Sequence, residues 1–123
     1  MAMNLLTKKV TAAGAAGSAT GFTEFYSTPV RIIGVDVDYH GTAPGTTDIV
    51  ISCDYGSGVQ RTVFTKSDTG TDALSLPRVP VVDAAGAAIA GRGEESPVLS
   101  GQCRITVNQS NAGDFIVRLL VAP

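Results

Sequence analysis

The sequence has no tryptophan, one histidine, two cysteines and no long apolar run, and each scarcity closes off a class of function. Without Trp, and with aromatics at 6% of residues, the chain has little material for a sugar-binding or base-stacking platform. His40 is the only histidine, so any Ser-His-Asp mechanism must use it, and no Gly-x-Ser-x-Gly nucleophile elbow is present. The nearest stretch, Tyr55-Gly-Ser57-Gly58, reads as a hairpin turn with no helix after it. Cys53 and Cys103 lack the Cys-x-x-Cys spacing of a zinc site. Both fall on the face taken to be inward. They read as buried free thiols acting as small hydrophobes, with a disulfide between facing strands as the alternative. That bond requires Cα atoms within about 7 Å.

Basic charge is also scarce, with nine Lys and Arg against eleven Asp and Glu and no basic cluster beyond Lys8-Lys9. Nucleic-acid binding draws its affinity from phosphate neutralisation, so no nucleic-acid partner is expected. Gly14, Gly17 and Gly21 match neither the P-loop, which needs Gly-Lys-Ser/Thr, nor the dinucleotide fingerprint, which needs Gly-x-Gly. No run approaches the roughly 18 apolar residues that cross a bilayer, so no membrane partner is expected. In Met1–Lys9 the charges follow the Leu5-Leu6 pair, the reverse of a secretory signal, and synthesis in the cytoplasm is expected. The Asn108-Gln-Ser110 glycosylation match is then uninformative.

What is present is alternation. In Pro97–Val121, Cys103, Ile105 and Val107 take one face and Gln102, Arg104, Thr106 and Asn108 the other. After the turn-forming Gln109–Gly113, Phe115, Val117, Leu119 and Val121 face one way and Arg118 the other. A period of two marks strands with one buried face, and the pair reads as a long C-terminal hairpin around which the chain packs. Ile49, Ile51, Cys53 and Tyr55 alternate in the same way, and Gly56-Ser-Gly58 turns the chain into a returning strand over Val59–Thr65.

Phe22–Thr28 reads as a short strand ending at Pro29. Beyond it, Ile33, Val35, Val37 and Tyr39 face inward while Val30 and Ile32 have the opposite parity. A bulge near Ile33-Gly34 reconciles them, because one extra residue flips the face. Leu74–Val82 carries Pro77 and Pro80 and is excluded from a central strand. Asp83–Gly86 reads as a turn, Ala87–Ala90 as a short apolar segment and Gly91–Ser96 as an exposed loop.

At 123 residues the chain is expected to form one domain that buries roughly two-thirds of its unfolded surface. The pattern gives six to eight short strands, no helix and no internal repeat. It predicts an all-β fold, an antiparallel β-sandwich of jelly-roll type spanning residues 22–123. Residues 1–21, rich in Ala, Gly, Ser and Thr, are expected to form an extended, flexible N-terminal arm.

Two constellations warrant a chemical reading. Asp36-x-Asp38-x-His40 places three ligand-type side chains about 6.6–7 Å apart on one strand face. Such a set can contribute to a divalent-metal site. No second His or Cys cluster completes it, so it reads as a solvated outer face beside a turn. Glu94-Glu95 cannot be held at a defined separation within a Gly-flanked loop, as a glycosidase pair must be. No cofactor, metal or catalytic residue is assigned, and no enzyme activity is expected.

Three stretches carry a likeness. Val35–Ile51 (VDVDYHGTAPGTTDIVI), Leu76–Asp83 (LPRVPVVD) and Pro97–Val107 (PVLSGQCRITV) with its returning strand resemble the small capsid decoration, or cement, proteins of tailed bacteriophages. The likeness spans roughly residues 30–121 and is one of strands and turns.

It implies a jelly-roll or sandwich protein on the outside of an icosahedral shell. Such a protein is non-enzymatic, binds the major capsid protein, and assembles as dimers or trimers at symmetry axes to tie neighbouring subunits together. A head-completion, tail or fibre-attachment component is one alternative, and a carbohydrate- or cell-surface-binding jelly roll is another. No site residue carries over from the family. From the residues themselves, Leu5, Leu6, Phe22, Phe25 and Tyr26 are the expected contacts with capsid or sister subunits, being apolar and attached to a segment that looks unable to pack on itself.

Overall fold

A computed structural model describes residues 3–80 and 94–123. The chain is all-β and antiparallel, as the alternation requires, with no helix among the described residues. The strands are β1 (Asn4–Ala12), β2 (Ala19–Asp38), β3 (Asp48–Cys53), β4 (Arg61–Lys66), β5 (Ala73–Ser75), β6 (Val79–Pro80), β7 (Glu94–Glu95), β8 (Val98–Ser110) and β9 (Gly113–Ala122). Seven of them form one sheet in the order β1-β9-β2-β8-β3-β4, with β5 also on β2, while β6 and β7 pair separately.

The organising element is β2, 20 residues long. Its first part, Ala19–Arg31, pairs with β8, and its second part, Arg31–Asp38, pairs with β9 on one side and β5 on the other. This corrects the expected C-terminal hairpin. Only Asn111 and Ala112 separate β8 from β9, yet the two strands do not pair, because β2 lies between them. Gln109, at φ 53°, helps turn the chain from one half of the sheet to the other. Each half keeps its own inward face. Ile105, Cys103, Ile49 and Ile51 from the β8 side join Val35, Val117, Leu119 and Phe115 from the β9 side in one core. Both parts of the sheet thus contribute their inward rows to one core.

Two details of β2 follow from its sequence. The ladder to β9 matches Ile32 with Val121 and Gly34 with Leu120, leaving Ile33 as the extra residue. That bulge lets Ile32, Val35 and Val37 all be fully buried despite their mixed parity, as expected. Pro29, which has no N–H to give the ladder, sits where the pairing with β8 slips between Ser27 and Val30. The strand nevertheless runs through it, so the two strands expected on either side of Pro29 are one.

The flexible arm is a second correction. Nine consecutive residues of β1 pair with Asn4's partner Val121 through Ala12's partner Gly113, and Val10 and Ala12 lie in the core. Small residues at positions 11–20 had hidden a strand. Ala12 and Ala19 are buried because they are small, and Gly21 leaves room for the Thr11 backbone crossing against it. Residues 3–21 thus belong to the same folded unit as the rest.

The hairpin of β3 and β4 is present as expected, with a slip between Ile51 and Ser52. The proline-broken segment supplies most of the short β5, at an edge, and the two-residue β6. Glu94-Glu95 is strand β7, paired with Val79-Pro80, where a loop was expected. The turn at Asp83–Gly86, the segment Ala87–Ala90 and the start of the Gly91–Ser96 loop lie outside the described residues.

Candidate functional site

The five expected interface residues are distributed over three environments. Leu6 and Phe25 point inward and pack against the core, with the Lys8 ammonium 4.9 Å from the Phe25 ring centre. Phe22 and Tyr26 point outward from the first part of β2, and Tyr26 is 75% exposed. Their cross-strand partners on β8 are Thr106 and Gln102, and Glu24 opposite Arg104 lies between them. Arg104 covers the Phe22 ring at 4.9 Å and approaches Glu24 at 3.6 Å, giving this face a mixed aromatic and ionic character.

Leu5 belongs to the other outer face, where the register builds an apolar row. Leu5 pairs with Leu120, and Leu120 pairs with Gly34. A side chain on Gly34 would meet Leu74 at 3.3 Å, Leu76 at 3.6 Å and Leu120 at 3.7 Å, so three leucines close over the glycine. Leu5, Leu74 and Leu76 remain 59%, 62% and 65% exposed. Contiguous apolar surface of this kind marks interaction sites in soluble proteins. Sequence reasoning missed Leu74, Leu76 and Leu120. The available signal was Leu120 itself, an apolar residue at an outward parity of an alternating strand.

The Asp36-x-Asp38-x-His40 set is not brought together. Arg118 on β9 lies between the carboxylates, its Nη1 donating to Asp38 at 2.5 Å and standing 3.7 Å from Asp36. The hydrogen bond and charge of Asp38 raise the Arg118 pKa above its ordinary value. With a guanidinium already on the carboxylates, the face is an ion-pair cluster. His40 lies beyond the end of β2 and turns over the core, edge-on to Phe115 with ring centres 4.8 Å apart. Among the described residues no group of three or more His, Cys, Asp or Glu is placed to hold a metal ion.

Ser57 lies in the β3–β4 turn, where its hydroxyl donates to the Asp54 carbonyl at 2.7 Å. That turn is built on Asp54, whose Oδ1 accepts from Gly56 N–H at 2.8 Å and Gln102 N–H at 3.0 Å. These backbone donors, Gly56 first, hold the carboxyl below its ordinary pKa against the opposing effect of burial. Gly101, at φ 84°, lies directly against the Asp54 carboxylate and the Gly56 backbone, a position with no space for a Cβ. Ser57 is thus a structural hydroxyl.

At the other end of the core, Lys66 lies 5.1 Å from the Tyr39 ring centre. Burial, then Asp72 and Asp48, pushes the Tyr39 hydroxyl up to about 12, and burial lowers the Lys66 pKa. Where β2 passes between the halves, Pro29, Val30, Arg31, Val98 and Pro123 line an open apolar cleft of about 200 Å³. That is smaller than the roughly 300–1,000 Å³ typical of small-molecule pockets. Among the described residues no helix is long and apolar enough to cross a membrane.

No family model, no curated protein and no solved structure matches the chain.

Proposed function

We propose that the chain is a non-enzymatic virion structural protein that binds the outer capsid surface and stabilises contacts between major capsid subunits. The observation that carries this reading is a pair of exposed patches on different stretches of one folded sheet. One is the leucine row of Leu5, Leu74, Leu76 and Leu120, and the other is the Phe22–Glu24–Tyr26 face with Arg104. A clamp must hold two neighbours at once, and two separate contact faces on an antiparallel body suit that task. The all-β antiparallel sheet and its single core support a sandwich of the jelly-roll type, and the resemblance of the strand-and-turn stretches to phage decoration proteins points the same way.

The energetics are adequate. A stable contact of standard size takes about 800 Å² per partner. Weaker contacts suffice where dimers or trimers at symmetry axes engage several sites together, because avidity multiplies modest affinities. The protein then resides on the capsid exterior after synthesis in the host cytoplasm.

The test is to mix the purified protein with phage shells lacking it and to measure binding by size-exclusion chromatography with light scattering. Saturable co-elution at hundreds of copies per shell is expected. A handful of copies would move the protein to the head-completion or tail position. A stable soluble species that ignores shells would overturn the reading.

A further inference from the structure

We propose that Cys53 and Cys103 form a redox-modifiable dithiol that closes to an intrachain disulfide between β3 and β8. The inference rests on register and is independent of the function proposed above. Cys53 is the last residue of β3, and Cys103 stands directly opposite it on β8. The next residue, Asp54, donates its N–H to the Gln102 carbonyl at 3.1 Å. That bond belongs to the neighbouring pair, which makes Cys53–Cys103 a non-hydrogen-bonded pair. In such pairs the Cα atoms are about 4.5 Å apart and the side chains are closest. Disulfides span about 4.4–6.8 Å between Cα atoms, so the strands need little movement to bridge.

Both sulfurs lie on the same face. Cys53 and Cys103 are fully buried free thiols on the inward side, continuing the cross-strand stack of Ile49 with Val107 and Ile51 with Ile105. The thiols adjoin, and the Cys103 sulfur lies 3.5 Å from the Gly101 carbonyl. Burial, then the neighbouring Cys53, pushes the Cys103 thiol up to about 12, so little thiolate forms at neutral pH. The folded pair is thus slow to react, and access runs through the turn pinned by Asp54. Opening that turn exposes the end of the ladder, where the pair sits.

The reaction needs an oxidant, and a small-molecule disulfide is sufficient. One cysteine, after losing its proton, attacks a sulfur of the oxidant and releases one thiolate. The second cysteine, also deprotonated, attacks the resulting mixed disulfide and releases the other. The protein loses two protons and two electrons, and the oxidant becomes two thiols. In a reducing cytosol the pair stays a dithiol, and after transfer to oxidising surroundings it closes.

The test equilibrates the folded, full-length protein with glutathione disulfide over a range of ratios to glutathione. Free thiols are trapped by alkylation, and the products are mapped by mass spectrometry. The expected product is a monomer two hydrogens lighter, with Cys53 linked to Cys103, and its thermal midpoint is higher than that of the dithiol until a reductant reverses it. The Gly101→Ala variant, with a loosened turn, should close several-fold faster. Cys103→Ser should give only a glutathione adduct at Cys53. The proposal is overturned by wild-type protein that yields only glutathione adducts or cross-linked dimers. It is equally overturned by thiols that stay reduced at every ratio in mild urea that opens the turn.

Discussion

The His40 ring stands edge-on to Phe115, and its Nε2 lies 3.0 Å from the Asn111 carbonyl, binding the end of β2 to the connection between β8 and β9. Its Nδ1 lies 3.3 Å from the Thr42 N–H, while the Asn111 side-chain amide donates to the Thr42 carbonyl at 2.7 Å. The single histidine is therefore a latch over one end of the core. His40→Ala should cost about 1–3 kcal/mol, the range for losing buried packing together with hydrogen bonds. Urea unfolding should show a lower midpoint with an unchanged slope.

A Cβ on Gly113 would fall 2.5 Å from the His40 ring. Gly113→Ala should therefore be destabilising in the wild-type background and much less so when His40 is already alanine. A double-mutant cycle reads the coupling, expected at about 0.5–3 kcal/mol for groups in contact. Additive effects would show that the clash is relieved elsewhere.

The Asp54 carboxyl sits below its ordinary pKa because backbone N–H groups of Gly56 and Gln102 bind its charged form. A depressed folded-state pKa contributes stability above the unfolded value of about 3.9 and loses it as pH falls through the folded value. Asp54→Asn should lower the thermal midpoint at pH 7 and flatten its decline on the acid side. Thermal scans from neutral pH into the acid range, run on both proteins, check both the loss and the slope.

The division of the apolar residues between core and surface can be tested on stability alone. Leu74→Ser and Leu76→Ser alter exposed side chains and should change unfolding free energy by no more than about 0.5 kcal/mol. Phe25→Ala and Leu6→Ala remove side chains packed on the core and should each cost about 1–3 kcal/mol. In a shell-binding assay the order should reverse, with the two serine variants losing occupancy.

Removing residues 1–12 should abolish cooperative unfolding or lower the midpoint sharply, because β1 pairs with β9 from Gly113 to Val121 and buries Val10. A dispensable arm would leave the circular dichroism and the transition intact.

The sequence was most legible where one face of a strand is buried and the other wet. The parity of Cys103 to Val107 and of Phe115 to Val121 matches the buried rows, and even the bulge at Ile33 follows from a parity conflict. Alternation carries no information on which strand is the neighbour, so a two-residue connection at Asn111-Ala112 read as a hairpin although β2 separates its strands. Composition misled over residues 1–21, because Ala12, Ala19 and Gly21 are small to permit close approach of two backbones. The leucine row was illegible for a related reason. Leu5, Gly34, Leu74 and Leu120 are distant in sequence, and only the register of four strands puts them side by side.

The placement of β2 also sets when this protein can fold. Its two long partners, β8 and β9, occupy residues 98–122, and β1 has its partner in β9 as well. During synthesis the first two strands therefore leave the ribosome long before their long partners exist. Such non-local pairing pays its loop-closure entropy early and folds on the ms–s scale typical of β topologies. The nascent chain spends that interval with two long unpaired edges, the state most open to capture by chaperones or by a second copy.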